Sequence, residues 1–315
     1  MRLRFAFLLL AFPLTLASAA VLGGAGCSSN NVQKPPPLVL ADDDAGGRDS
    51  APPMVDNDAE LPPPTDAGPP KGIIYVHTGR TLFLFEPYGK TLKRIGDFPC
   101  LTDADFSEVG DIAVNRDGEI YGTTLDKKFI KIDPLTANCT IVATSDFQGY
   151  PNSLSFVPRG TLDPANDALV GYFDDQYVRI DVATGKLTTI GSLNPGDAST
   201  TYESSGDIVS VGADRTYLSA KTRRNGVTVD GGDVLVRFDP KTGQRIAVSS
   251  GSTSRTNIWG MGYWAGTAYG FTSKGEAIAI DPQTGSATAI PVDAGTRSNQ
   301  GVFYGAGSTT VAPTR

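Results

Sequence analysis

Five segments of this chain share one design, and that recurrence constrains its fold more than any other feature. AIAIDPQTGSATAI (Ala277–Ile290) matches LFLFEPYGKTLKRI from Leu82, FIKIDPLTANCTIV from Phe129, YVRIDVATGKLTTI from Tyr177 and LVRFDPKTGQRIAV from Leu235. An acid stands fifth in each: Glu86, Asp133, Asp181, Asp239 and Asp281. The first half alternates as a strand does, and Asp-Pro-x-Thr-Gly then makes a turn. Asp accepts hydrogen bonds from its own backbone, Pro presets φ, and Gly takes the positive φ from which the return strand starts. Each segment is therefore a β-hairpin. Upstream lie two further strands, seen in GDIAVNRDGEIYGTT from Gly110, GDIVSVGADRTYLSA from Gly206 and WGMGYWAGTAYGFT from Trp259. Four strands recurring every 40 to 60 residues or so is the period of a β-propeller blade.

The fifth-position acids mark four full intervals, and the two loose ends outside them together make one more. We therefore expect an all-β chain over residues 72–315: five four-stranded blades, one of them split between the two ends of the domain. IIYVHT, LFLFEP and KRIGDF supply three of its strands and NQGVFYGAG the inner one. Closing a ring in this way hides sheet edges that would otherwise pair with other chains.

The IDPxTG hairpin resembles the repeats of bacterial propellers of the YVTN-like and quinoprotein-like classes, across residues 72–315. The resemblance implies a fold and leaves function open, because propellers host binding, scaffolding and many chemistries. Quinoprotein dehydrogenases place a docking tryptophan in each repeat. Here Trp259 and Trp264 fall in one blade, so a quinone cofactor is not expected.

The other end of the chain has a different composition. Arg2 and Arg4 precede an apolar run from Phe5 to Leu16, interrupted by Pro13, which reads as an export signal rather than a membrane span. VLGGAGCSSN follows and resembles the cleavage region of a bacterial lipoprotein, with Ala25 and Gly26 before Cys27 and with Gly24 where leucine is usual. The resemblance implies a signal peptide over residues 1–26 and a lipid on Cys27. The protein would then be exported to the cell envelope and anchored by that lipid, in the outer rather than the inner membrane. Cleavage after Ala17-Ser18-Ala19 is the rival and would leave a secreted protein. Residues 27–71 carry PPP, DDD and GG runs and, from Ser28, eight acids against three bases, a composition expected of an extended, solvated tether.

Three cysteines fit an oxidising compartment. With Cys27 assigned to lipid, Cys100 and Cys139 form an even pair, and a disulfide between them is expected. The net charge of −7 and the absence of a basic cluster exclude a nucleic-acid partner.

No GxSxG, HExxH or P-loop pattern occurs, and the single histidine, His77, restricts triad and zinc chemistry. No residue is assigned as catalytic or as a metal ligand. Ring propellers bind ligands where their inner strands begin. Aligning the repeats sets Asp111, Ser153, Asp207, Gly260 and Gly301 at one depth, with Asn152, Asn257, Asn299 and Gln300 beside them. Asp111, Asn152, Ser153, Asp207, Asn257 and Gln300 are therefore the candidate binding residues. Two carboxylates from different blades could hold Ca²⁺, divide acid and base roles in sugar cleavage, or simply cap their strands. No other cofactor is expected. The favoured reading is a binding or scaffold module for an envelope protein, a glycan or an ion; the alternative is a carbohydrate-active hydrolase or lyase using the channel carboxylates.

Two further features stand out. Trp259, Tyr263 and Trp264 could form a sugar platform or pack between blades. Lys221–Asp233 lengthens the fourth repeat and should make an exposed hairpin or loop, with Arg223 and Arg224 as contacts for an anionic partner.

Overall fold

The computed structural model describes residues 73–102, 107–145, 149–196, 198–292 and 302–315. The signal segment, Cys27, the tether, Asn299, Gln300 and Gly301 lie outside the described residues.

Five antiparallel sheets form five blades, and among the described residues there is no helix. The first blade contains β1 (Ile74–His77), β2 (Thr81–Glu86) and β3 (Thr91–Asp97). The second contains β4 (Val109–Val114), β5 (Ile120–Thr124), β6 (Lys128–Ile132) and β7 (Cys139–Thr144). The third contains β8 (Leu154–Val157), β9 (Ala168–Phe173), β10 (Gln176–Ile180) and β11 (Leu187–Ser192). The fourth contains β12 (Thr200–Val211), β13 (Arg215–Arg224), β14 (Val227–Thr228), β15 (Val234–Phe238) and β16 (Arg245–Val248). The fifth contains β17 (Ile258–Trp264), β18 (Thr267–Thr272), β19 (Ala277–Ile280) and β20 (Ala287–Ile290). Last comes β21 (Gly305–Gly307), which pairs with β1 as the inner strand of the first blade, with Tyr75 opposite Gly307 and His77 opposite Gly305. The split blade expected from the sequence is thus present. Its inner strand is the GAG end of NQGVFYGAG; Val302–Tyr304 lead into it without being strand.

The repeated turns follow the expected chemistry. Asp133 Oδ1 accepts the N–H groups of Leu135 (2.9 Å) and Thr136 (2.8 Å), and Asp281 Oδ1 does the same for Gln283 (2.7 Å). Gly185, Gly243 and Gly285 close their turns at φ of 68°, 75° and 76°. In the second blade Ala137 holds that place at φ 63°, a strain that its burial between the first two blades sustains.

Blades pack face to face through apolar and aromatic layers. Between the third and fourth, Tyr172, Tyr177 and Phe238 meet with ring centroids 4.9 to 5.5 Å apart. Each phenol keeps a partner across the seam: Tyr172 donates to the Gly243 carbonyl (2.5 Å) and Tyr177 to that of Pro240 (3.0 Å). Burying a hydroxyl is costly unless it is bonded, so the turn of one blade fixes the neighbour's aromatic core.

The expected disulfide is present. Cys100, just after β3, and Cys139, at the start of β7, are joined with Cα atoms 5.4 Å apart. The long fourth repeat is a hairpin rather than a loose loop. Thr200–Glu203 pair with Lys221–Arg224, Arg223 meets Glu203 at 2.5 Å, and β14 folds back on β13.

Candidate functional site

The inner strands β21, β4, β8, β12 and β17 surround a central channel. Each presents an inner edge with no further strand beside it, so its inward N–H groups need another acceptor. At one level they find it in two carboxylates. Asp111 on β4 accepts from Ile112 N (2.8 Å) and from Leu154 N on β8 (2.6 Å). Asp207 on β12 accepts from Ile208 N (2.6 Å), from Met261 N on β17 and from Ala306 N on β21. All five inner strands therefore give one N–H to the same acid pair.

The sequence allows this by what it places around the pair. Reading the five strands at that level gives Asp111, Ser153, Asp207, Gly260 and Gly305. The two glycines clear the space opposite the acids: a Cβ on Gly305 would overlap both Asp111 Oδ1 and His77 Nε2, and one on Gly260 would run into the Gly305–Ala306 backbone. One residue earlier the order is Gly110, Asn152, Gly206, Trp259 and Tyr304, so a glycine precedes each acid and an aromatic precedes each glycine. Trp259 and Tyr304 meet at 5.5 Å, and Tyr304 hydrogen bonds to Glu108.

Asp111 and Asp207 are fully buried and hydrogen bonded to each other. Two carboxylates in contact cannot both ionise in a low-dielectric site. Burial raises both acids well above the usual carboxylate range, and the neighbouring Asp207 charge raises Asp111 further. Asp207 receives three N–H groups and Asp111 two, so Asp207 is the better acceptor and Asp111 is the one placed to donate across the pair. His77, from the first blade, completes the cluster. Its Nδ1 donates to the Thr78 carbonyl (2.8 Å), which leaves Nε2 as a bare acceptor beside Gly305, buried and without a hydrogen-bond partner among the described residues. Burial pushes this imidazole down to about 4, so it stays neutral near pH 7.

A pH dependence follows. The acid pair has raised folded values, so its contribution to stability is complete below the unfolded carboxylate value near 3.9 and is lost as pH rises through the folded value. His77 acts oppositely: its contribution is present above about 6.5 and lost as pH falls toward 4. The two slopes oppose each other wherever both groups titrate. The acid pair itself makes the melting temperature fall as pH rises from about 3.9 through its raised folded value. Asp111→Asn keeps a donor toward Asp207 and cannot titrate, at the cost of the acceptor for one of the Ile112 and Leu154 N–H groups, and it should flatten that slope. An unchanged slope in this variant would place the titration elsewhere.

The other sequence candidates are placed as follows. Ser153 is buried and exchanges hydrogen bonds with the Tyr172 backbone (2.9 and 3.2 Å), so it ties β8 to β9 and leaves the acids alone. Asn152 is exposed one residue before Ser153, and Asn257 directly precedes β17 at φ 56°. The expected collar position Gly301 is replaced by Gly305, because the inner strand begins later than the repeat spacing suggests. Tyr263 and Trp264 are buried between blades, and the aromatic that Trp259 meets is Tyr304. Sequence reasoning missed Asp233, a largely buried acid that accepts from Ile258 N (2.9 Å) and Ser205 Oγ (2.7 Å) beside the fourth and fifth inner strands. Among the described residues no group of three or more His, Cys, Asp or Glu side chains is arranged to hold a metal, and no helix is long and apolar enough to cross a membrane.

No protein-family model and no curated protein sequence matches this chain. Among solved structures it is similar to one from a nidogen/laminin complex, at 11 % identity and TM-score 0.44 over 75 % of this chain and 97 % of that one. A Bacteroides thetaiotaomicron protein of unknown function is similar at 14 % identity and TM-score 0.42, over 65 % of this chain and 55 % of that one. BamB from Moraxella catarrhalis follows at 15 % identity and TM-score 0.29, over 60 % of this chain and 69 % of its own. Scores this low bear on neither family nor function, and the propeller architecture rests on the strand order itself.

Proposed function

We propose that this chain is an envelope lipoprotein, anchored through Cys27, that presents its propeller as a binding or scaffold module. The observation that carries the reading is the saturation of the channel carboxylates. Paired glycosidase acids stand about 5 to 9.5 Å apart, with a sugar oxygen or a water between them. Asp111 and Asp207 instead bond to each other and to five backbone N–H groups, with no exposed surface. That arrangement supports an internal clamp rather than a cleavage site, and it leaves recognition to the outer faces and seams of the disk. The export signal, the lipobox-like VLGGAGC and the acidic Pro-rich tether support presentation away from a membrane.

Two measurements test the reading. In a bacterial host the chain should incorporate labelled palmitate, and Cys27→Ser should abolish the label. Incubation with envelope polysaccharides should release no new reducing ends. Failure to label would reduce the anchor to ordinary secretion, and release of reducing ends that stops in Asp111→Asn would overturn the binding-module reading.

A further inference from the structure

The second blade carries an ion pair on its face, and the fourth blade has a cation where that pair has its acid. In the second blade Lys131 on β6 lies opposite Tyr121 and pairs with Glu119 at 2.6 Å. In the third, Arg179 on β10 lies opposite Val170 and takes its acid from outside the strands, pairing at 3.2 Å with Asp163 in the segment before β9. In the fourth, Arg237 lies opposite Tyr217 in the same register, but the position corresponding to Glu119 is Arg215. A cation has replaced the acid, so two arginines flank one tyrosine. Arg215 turns to Asp214 (2.9 Å) and hydrogen bonds to Tyr263, while exposed Arg237 makes no ion pair among the described residues.

These residues border a cleft between the fourth and fifth blades. Its larger part encloses about 660 Å³ between Arg215, Tyr217, Tyr263, Thr267, Gln283 and Thr288, within the size range of ligand sites. A smaller recess of about 160 Å³ continues past Tyr217 to Arg237. Asp281 also lines the larger part, but its Oδ1 is committed to the Gln283 and Thr284 N–H groups of its own turn. Asp214 is mostly exposed and does not line the cleft.

We propose that this seam binds an acidic glycan, with a uronate carboxylate on Arg237 and Arg215 and its ring near Tyr217. A guanidinium fork matches a carboxylate in two parallel hydrogen bonds, an aromatic side chain offers a flat apolar surface, and the threonines and Gln283 can meet sugar hydroxyls. The many hydroxyl and amide groups favour a sugar over an acidic peptide. The inference concerns the folded domain alone and stands whether or not Cys27 carries a lipid.

The test is calorimetric titration of the full chain with trigalacturonate, with maltotriose as a neutral control and triglutamate as an acidic peptide. Saturable binding of trigalacturonate alone is expected. Arg215→Glu restores the pairing found in the second blade, so it should fold normally, engage Arg237 internally and weaken binding at least tenfold. Arg237→Ala should weaken it similarly, and thermal melts of both variants establish that they are folded. Absence of trigalacturonate binding, equal binding of maltotriose or triglutamate, or undiminished binding in both folded variants would each overturn the proposal.

Discussion

Asp207→Ala should lower the unfolding free energy by about 3 to 5 kcal/mol, read as a shift in urea midpoint. The substitution takes the acceptor from Ile208, Met261 and Ala306 and leaves the Asp111 proton without its partner. An unsatisfied buried donor costs about 1 to 3 kcal/mol, so three of them dominate over the small cavity left behind. Those donors sit on the fourth, fifth and first blades, so the loss falls on the contacts that hold the ring together. A domain with a typical stability of about 5 to 15 kcal/mol would survive with little margin. A loss below about 1 kcal/mol would show that water replaces the carboxylate freely, against the full burial of Asp207.

The second large effect belongs to the Cys100–Cys139 bridge, whose cysteines are separated by 39 residues. In the chain-entropy model a loop of that length contributes about 4 kcal/mol by restricting the unfolded chain. Replacing both cysteines by serine should therefore lower the melting temperature by about 8 to 16 °C, about as much as reduction of the native protein does. Thiol reagents should label neither cysteine until a reductant is added. The bridge joins the end of the β1–β3 segment to the second blade, while β21 joins the same segment to the fifth. The split blade is thus held on one side by a covalent bond and on the other by a strand ladder.

The parts of the fold legible in sequence are those governed by local chemistry. Asp-Pro-x-Thr-Gly makes its turn from hydrogen bonds spanning two or three residues, so Asp133, Asp181, Asp239 and Asp281 could be recognised one at a time. The level of Asp111 and Asp207 followed from aligning those turns. That the two acids touch did not, because it depends on the radius of the closed ring and on room made by Gly260 and Gly305 in other blades. The offset from Gly301 to Gly305 had a similar cause. A strand of three residues, Gly305–Gly307, carries too little alternation to mark where it starts. The Glu119 to Arg215 exchange was visible in the letters, but its meaning required the register that sets Arg237 opposite Tyr217.

The late position of β21 sets an order of events for a growing chain. The first three strands to emerge belong to a blade whose inner strand follows every other strand described here. Until Gly305–Gly307 arrive, β1 has an open inner edge, Ala306 N–H cannot reach Asp207, and the channel lacks one wall. Contacts spanning almost the whole domain slow folding, because the loop must close before they form. The earlier blades can stack in turn, but ring closure waits for the last strand. A chain threaded through a narrow pore from its N-terminus would remain an unclosed stack of sheets for almost the whole passage, able to yield to the pore, and would become a rigid disk only once β21 had come through.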